Sequence, residues 1–552
     1  MLKKGHIYRS NTDTETIIHL YEEYGIDCLE RLRGMFAFAI WDDKKKYLFL
    51  ARDRIGIKPL YYTYHNGMFF FASEIKALLV APGIRRQLNE EALYHYLTFM
   101  IPPAPSTMFK DIYKIPPGQR MIIKDNGDIV LEPYWEPFSK SLINSYSENE
   151  CIEIIRSIFE DSVRLRMMSD VPFGAFLSGG IDSSAVVALM AKNSNLPINT
   201  FTVGYKDAPA LNEFNYAQQI AREFKTNHHE IMIDGKDMIN YMPQLIHSED
   251  EPIGDPVCVP LYYVSKLAKD NGVTVILVGE GSDELFCGYP WYIPYIREDR
   301  YYRSIEKTLP PFIIKGLYQY ARCIWNYTDR GRLWLDRLDR WGNHERPFWG
   351  GAVVYRGYDK NLLLNTKYWQ KNQFDSSTIP EYYYRRIEDL QPKGDILEKM
   401  AYLELKYRLP ELLLMRVDKV TMSTSLEARV PFLDHKLVEF TLPISMSVKI
   451  RNQPKYLLKK TLEGIIPENI IYRSKQGFPA PVNSWFRNLP KKYIYNTIFN
   501  GSPSRIGLFN RSFLKHMLDE QYAGSRDWSV KLWTIFNFNL WYDNWIEGRE
   551  SG

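Results

Sequence analysis

The run Ser178-Gly179-Gly180-Ile181-Asp182-Ser183-Ser184 packs hydroxyls, glycines and one carboxylate into seven residues. It follows an apolar run, Val171 to Leu177, and precedes an apolar segment, Ala185 to Ala191, so it reads as a strand, a tight turn and a buried helix. Such a junction binds phosphate. Glycines let the backbone approach the anion, and free N–H groups at the helix start point at it. Ser178, Ser183 and Ser184 add donors. Asp182 would repel a phosphate unless Mg²⁺ lies between them. Without a ligand, the same string is a strand–turn–helix junction with an Asp or Ser N-cap. It is not a Walker loop, since the GxxxxGK[ST] spacing and its lysine are absent.

A second string follows another apolar run, Val273 to Val278. It reads Gly279-Glu280-Gly281-Ser282-Asp283-Glu284-Leu285-Phe286-Cys287-Gly288-Tyr289. Three acids among glycines at the end of a core strand are poor packing but suit a magnesium–triphosphate, with Asp182 and Asp283 sharing the metal. A third stretch, Leu412 to Asp434, carries Arg416, Asp418, Lys419, Glu427, Arg429 and Asp434. Arginine binds carboxylates bidentately, so Arg416 or Arg429 can hold an acidic substrate. Arg429 can equally pair with Glu427 or Asp434. Asp255, in Glu251-Pro252 to Asp255-Pro256, is either a ligand residue or a turn residue. Lys475, beside Gly477, can reach polyphosphate as a point charge. Lys455 and Lys459 lie upstream, and Lys459 has the look of solvated surface.

These residues need a framework. From about 145 onward the pattern is α/β, with Ile198–Tyr205 and Asn227–Ile233 as further strands and a helix over Leu211–Phe224. Ligands of such sheets lie beyond the strands' carboxyl ends. His228 and His229 sit next to each other on a strand and so point to opposite faces, which argues against a shared metal. Residues 1 to about 135 are β-rich, with a helix over Thr14–Tyr24 and strands over Met35–Trp41, Tyr47–Asp53, Leu60–Tyr64 and Met68–Ala72. Asn66-Gly67 and Asn126-Gly127 mark hairpins. Residues 291 to about 400 read as helical cover over the site, and the last residues as a closing helix.

With 552 residues the chain exceeds one core. A net charge of +4 gives no reason to expect nucleic acid or a membrane surface as partner. The five cysteines are scattered without a CxxC pair, so reduced thiols in a cytoplasm are expected. Whether the chain forms a homodimer is left open.

The SGGIDSS string resembles the pyrophosphate loop of the ATP pyrophosphatases, and GEGSDE with the Leu412–Asp434 stretch resembles the asparagine synthetases of that class. The resemblance implies that ATP contacts Phe176, Ser178, Gly179, Gly180, Asp182, Ser183, Ser184, Val203, Val278 and Gly279. It makes Asp255, Arg416, Asp418 and Arg429 candidates for the amino-acid substrate. It gives Glu280 a role in forming the intermediate and taking a proton from ammonia, and Lys475 one in stabilising charge at the α-phosphate. Asp13-Thr14-Glu15, Arg33–Ala39, Ala51–Tyr61 and Ala72–Leu78 resemble the later half of the family's glutaminase domain, which has an N-terminal-nucleophile fold of two stacked sheets. There the residue matching Asp13 holds glutamine's α-amino group. Asp13 is also placed to cap the helix beginning at Thr14. The family's nucleophile is an N-terminal cysteine. Here the first cysteine is Cys28, so this polypeptide is expected to use ammonia and not glutamine.

The expectation is therefore two domains, a truncated amidotransferase type 2-like domain over 1–135 and a synthetase domain over 145–552. Together they would make asparagine from aspartate, ATP and Mg²⁺ through β-aspartyl-AMP. Two alternatives stand beside it. One is a related AMP-forming ligase acting on a sugar acid, peptide or β-amino acid. The other is a non-catalytic scaffold.

Overall fold

The computed structural model describes residues 1–138, 146–325, 329–370, 373–392, 394–451 and 453–549. The boundary expected between 135 and 145 falls mostly on residues outside those described. The first part contains strands β1 (Ala37–Asp42), β2 (Tyr47–Arg52), β3 (Tyr61–His65), β4 (Met68–Ala72), β5 (Tyr113–Lys114), β6 (Gln119–Lys124) and β7 (Ile129–Pro133). They form two antiparallel sheets, ordered β1-β2-β6-β7 and β4-β3-β5. Leu50, Leu60, Ile115, Met121 and Ile123, with Tyr62 and Phe69 against them, join the two sheets in one apolar cluster. Asn66 and Gly67 take φ of 50° and 78° between β3 and β4, the positive values an Asn-Gly hairpin requires. The string Ala51–Tyr61 folds around the buried Asp53 carboxylate, which accepts the N–H groups of Ile55, Gly56, Ile57 and Lys58.

The helix Thr14–Tyr24 lies where the periodicity puts it. Asp13, however, does not cap it. Its backbone is helical, with φ −66° and ψ −29°, and its side chain makes no cap bond. Capping needs an extended residue at that position. Cys28 lies in a 3₁₀ turn, Gly25–Arg31, and is fully buried.

The second part holds a five-stranded parallel sheet built from β8 (Phe173–Phe176), β9 (Asn199–Tyr205), β10 (Asn227–Ile233), β11 (Val275–Leu277) and β12 (Glu427–Arg429), ordered β10-β9-β8-β11-β12. The edge strand β12 carries no apolar alternation, only Ala428 between Glu427 and Arg429, and so has no strand pattern of its own. The helix expected from Leu211 begins instead at Phe214. Asn212 holds the preceding turn open by accepting the Tyr205 N–H at 2.7 Å and donating to the Tyr205 carbonyl at 3.1 Å.

Charged side chains tie the two parts together. Arg33 donates to Asp161 and Asp434, Lys76 to Asp250, and Lys114 lies 2.6 Å from Glu251. The closing helix Ser529–Trp545 is buried nearly all round. Its Trp541 and Trp545 indoles donate to the carbonyls of Asp250 and Ile246. No helix among the described residues is long and apolar enough to cross a membrane.

Candidate active site

The carboxyl ends of β8, β9 and β11 open onto a cavity of about 690 Å³. Its apolar wall includes Phe176, Leu177, Phe201, Val203, Leu211 and Val278, and its polar end includes Asp182, Glu280, Asp283, Arg416, Lys455 and Lys475. The helix after the first loop begins at Ile181, four residues earlier than the apolar run implied, and Gly180 is its N-cap rather than an Asp or Ser. Asp182, Ser183 and Ser184 therefore sit in its first turn, where unpaired N–H groups and the helix dipole favour an anion. Gly179 has φ +70°, and a Cβ there would lie 2.5 Å from the Tyr216 backbone, so only glycine fits. Ser183 Oγ accepts the Ser178 N–H at 3.2 Å, and Ser178 Oγ accepts that of Gly180 at 3.3 Å. Ser184 is fully buried beneath the loop and does not line the cavity.

The two signature strings touch. A Cβ on Gly279 would come 3.0 Å from Asp182 Cβ. Ser282 Oγ donates to Asp182 Oδ1 at 2.6 Å. Lys455 Nζ lies between the acids, donating to both Asp182 oxygens at 2.5 and 2.6 Å and standing 2.7 Å from Asp283 Oδ1. Lys475 forms a close ion pair with the same Asp283 oxygen, and its Nζ lies 4.7 Å over the Tyr289 ring. Burial pushes the Asp283 carboxyl up, but the two ammonium groups outweigh it and hold the group below the usual carboxylate range. Burial likewise works against the Lys455 ammonium, and the two carboxylates overcome it and raise that pKa. Gly288 is part of the same construction, because a Cβ there would meet Asp283 Oδ1 at 2.0 Å and Lys455 Cε at 2.2 Å.

Sequence reasoning named Lys455 without giving it a role, and passed over Gly288. A signal for Lys455 existed. It stands between Pro454 and the apolar run Tyr456-Leu457-Leu458, where a solvated lysine is out of place. Lys459 also lines the cavity, and burial lowers its pKa, so it is not plain surface.

Arg416 bridges the remaining acids. Nη1 donates to Asp255 Oδ2 at 2.6 Å and Nη2 to Glu280 Oε1 at 3.0 Å. Burial raises the Glu280 pKa, and Arg416 opposes that rise. Asp255, Glu280 and Arg416 thus converge on the cavity.

Asp418 and Arg429 do not join them. Asp418 accepts Lys58 Nζ at 2.8 Å from the first domain. Arg429 donates to Glu427 at 2.8 Å and to the carbonyls of Arg166 and Met168. Neither lines the cavity, and no described residue of 291–400 does so either, although helices such as Tyr292–Thr308 and Thr378–Leu390 occupy that stretch. Asp13 is exposed in the other domain. If Asp418 is an interdomain tether, Asp418→Asn lowers unfolding stability by about 2 kcal/mol, the worth of a hydrogen bond between charged groups. KM for the carboxylate substrate stays unchanged. Urea unfolding beside steady-state kinetics checks this, and a raised KM with unchanged stability would return Asp418 to the substrate site.

Comparison with known proteins accords with this geometry. The asparagine synthase family model matches residues 154–543, and the glutamine amidotransferase domain model matches residues 1–135. A glutamine-hydrolysing asparagine synthetase 1 of Bacillus subtilis is 34% identical over 552 residues, covering 99% of this chain and 83% of its own. Asparagine synthetase 3 of the same organism is 30% identical over 502 residues, covering 86% and 72%. The amidase chry2 of Gibberella zeae is 26% identical over 510 residues, covering 86% and 74%. The chain belongs to the asparagine synthase family of carbon–nitrogen ligases and carries a glutamine amidotransferase domain ahead of the synthase domain.

Proposed function

We propose that the cavity joins ATP, aspartate and ammonia to make asparagine, AMP and pyrophosphate. One observation carries this reading: Asp182 and Asp283 face the same point, with Lys455 between them and Lys475 beside them, next to the N-terminus of helix Ile181–Lys192. The triphosphate would lie over that helix start and the Ser178–Ser184 loop, and the adenine against Phe176, Val203 and Val278. Asp182 and Asp283 are hard carboxylates at the polar end of the cavity and would be the protein ligands of Mg²⁺ at the point that Lys455 Nζ occupies, with that ammonium displaced. When bound, the ion neutralises triphosphate charge. Asp255, Glu280 and Arg416 together carry one net negative charge, which suits the α-ammonium of aspartate.

A β-carboxylate oxygen attacks the α-phosphorus, the bond to the bridging pyrophosphate oxygen breaks, and β-aspartyl-AMP forms. Ammonia then attacks the acyl carbon, the bond to AMP breaks, and Glu280 takes the proton that nitrogen loses. The protein contributes positioning and charge neutralisation, with no covalent nucleophile. A second reading, amidation of another carboxylate, keeps support from Arg416 already being paired with two acids. Pyrophosphate release across a panel of carboxylates separates the two. A scaffold would have no use for this convergence of acids and lysines.

The first domain's two sheets are read as part of an N-terminal-nucleophile fold. Within these 552 residues the thiol of that domain is Cys28. It is fully buried, and burial pushes its pKa up to about 11, so it is no nucleophile. A polypeptide of these residues is expected to make asparagine from ammonium chloride and to release no glutamate from glutamine. Glutamate formed one for one with asparagine would overturn this.

A further inference from the structure

We propose that His6, His19 and Glu22 form a binding site for a zinc-class dication, on the first domain and outside the synthase cavity. His19 and Glu22 lie one turn apart on helix Thr14–Tyr24, hence on one face, and His6 comes from the segment that runs beside it. The two Nδ1 atoms are 3.1 Å apart. Glu22 Oε2 lies 3.0 Å from His19 Nδ1 and 3.5 Å from His6 Nδ1. Ligand atoms about 2.1 Å from one tetrahedral zinc are about 3.4 Å from each other. The three separations therefore fit one face of a zinc tetrahedron, with the fourth position open to solvent.

The opposite ring nitrogens agree. His6 Nε2 lies 3.0 Å from Glu23 Oε1, and His19 Nε2 lies 3.4 Å from Glu15 Oε1. Ionised carboxylates only accept, so His6 Nε2 carries the proton and its Nδ1 lone pair turns inward; His19 Nδ1 lies between that lone pair and Glu22 Oε2, and Glu15 stands near its Nε2 to receive the proton when a cation takes Nδ1. A carboxylate behind each ring is how metal-bound histidines are oriented. Both supports are themselves fixed. Glu15 accepts the N–H groups of Arg9 and Ser10 at 2.7 Å, and Glu23 accepts Lys4 Nζ at 2.7 Å. A proton on His19 Nδ1 would serve some of these contacts. One cation serves all three converging atoms at once. Two imidazoles and a carboxylate select zinc-class ions over magnesium. The imidazoles are 13% and 14% exposed and the Glu22 side chain 56%, so an ion can enter from solvent. Bound there, it would tie the segment before the helix to the helix itself.

The test is titration of the metal-free chain with Co²⁺, read by the visible absorption of tetrahedral cobalt, followed by displacement with Zn²⁺. One equivalent is expected to bind. His6→Gln and His19→Gln are expected to lose the signal, and Glu23→Gln to weaken binding by about 10- to 100-fold. Asp182→Asn and Asp283→Asn should keep it, which separates this site from the cavity. Glu22 is exposed, so Glu22→Gln keeps the fold, and its thermal midpoint should no longer rise with Zn²⁺ as the parent's does. Binding that is absent at micromolar metal, or undiminished in the histidine and Glu22 variants, would overturn the proposal.

Discussion

Asp283→Asn is expected to lower the formation of AMP and pyrophosphate by about 10³-fold, the upper range for removing one electrostatic group from a preorganised site. The carboxylate stands against two ammonium groups, Lys455 at 2.7 Å and Lys475 in a close ion pair. Burial alone would favour its neutral form, but those lysines keep it ionised. The amide therefore removes a full charge from the cluster of Asp182, Asp283, Lys455 and Lys475, where the proposed function puts the triphosphate. The fold should survive. Asp182 still holds Lys455 through two oxygens, and the Gly288 N–H bonds the backbone carbonyl of residue 283, which the substitution leaves alone. Asp182→Asn is expected to behave alike, because Ser282 Oγ and Lys455 fix that carboxylate in the same cluster. Pyrophosphate release measured beside a thermal melt checks both. An Asp283→Asn enzyme with an unshifted midpoint and turnover within tenfold of the parent would remove the acid pair from the reaction.

The two loop strings at the cavity were legible because the residues of each are contiguous. Ser178–Ser184 and Gly279–Glu284 each follow an apolar strand, and a turn of fixed chemistry can be read from neighbours in the chain. Much of the frame could be read for the same reason. The Asn66-Gly67 hairpin and the helix Thr14–Tyr24 are local patterns, and both stand where the sequence puts them. What escaped is set by distant partners. Lys455 gets its role from Asp182, 273 residues away in the chain. Asp418 and Arg429 lie in the same stretch as Arg416, and all three carry charges suited to an amino-acid substrate. Only the fold turns Arg416 toward Asp255 and Glu280 while giving Asp418 to Lys58 and Arg429 to Glu427. The strand β12 went unread because a short edge strand needs little apolar surface of its own. The capping role of Asp13 failed for a finer reason, since its helical backbone angles exclude the geometry a cap requires.

Lys475→Met is expected to lower kcat by about 10²- to 10³-fold while KM for ATP changes little. The two lysines of the cluster differ in setting. Lys455 is 4% exposed and joins both acids, so it holds the carboxylates in register. Lys475 is 32% exposed and lies in the segment that connects helix Glu468–Ile471 to helix Val482–Asn488, beside Gly477 with φ +78°. Its ammonium pairs with Asp283, so it can exchange that partner for a phosphate oxygen without leaving the site. An ammonium that meets charge developing as the α-phosphorus is attacked stabilises the transition state more than bound ATP, and its removal lowers kcat and kcat/KM together. If Lys475 only held ground-state nucleotide, Met would raise KM and leave kcat alone. The measurement is initial rates of pyrophosphate release over a range of ATP at saturating aspartate and ammonium. Lys475→Arg sharpens it. Arginine keeps the charge but presents a planar fork in place of a compact ammonium, so partial recovery of kcat shows that charge matters and the remaining deficit shows the part played by shape. A Met variant with parental kcat would exclude Lys475 from the chemical step.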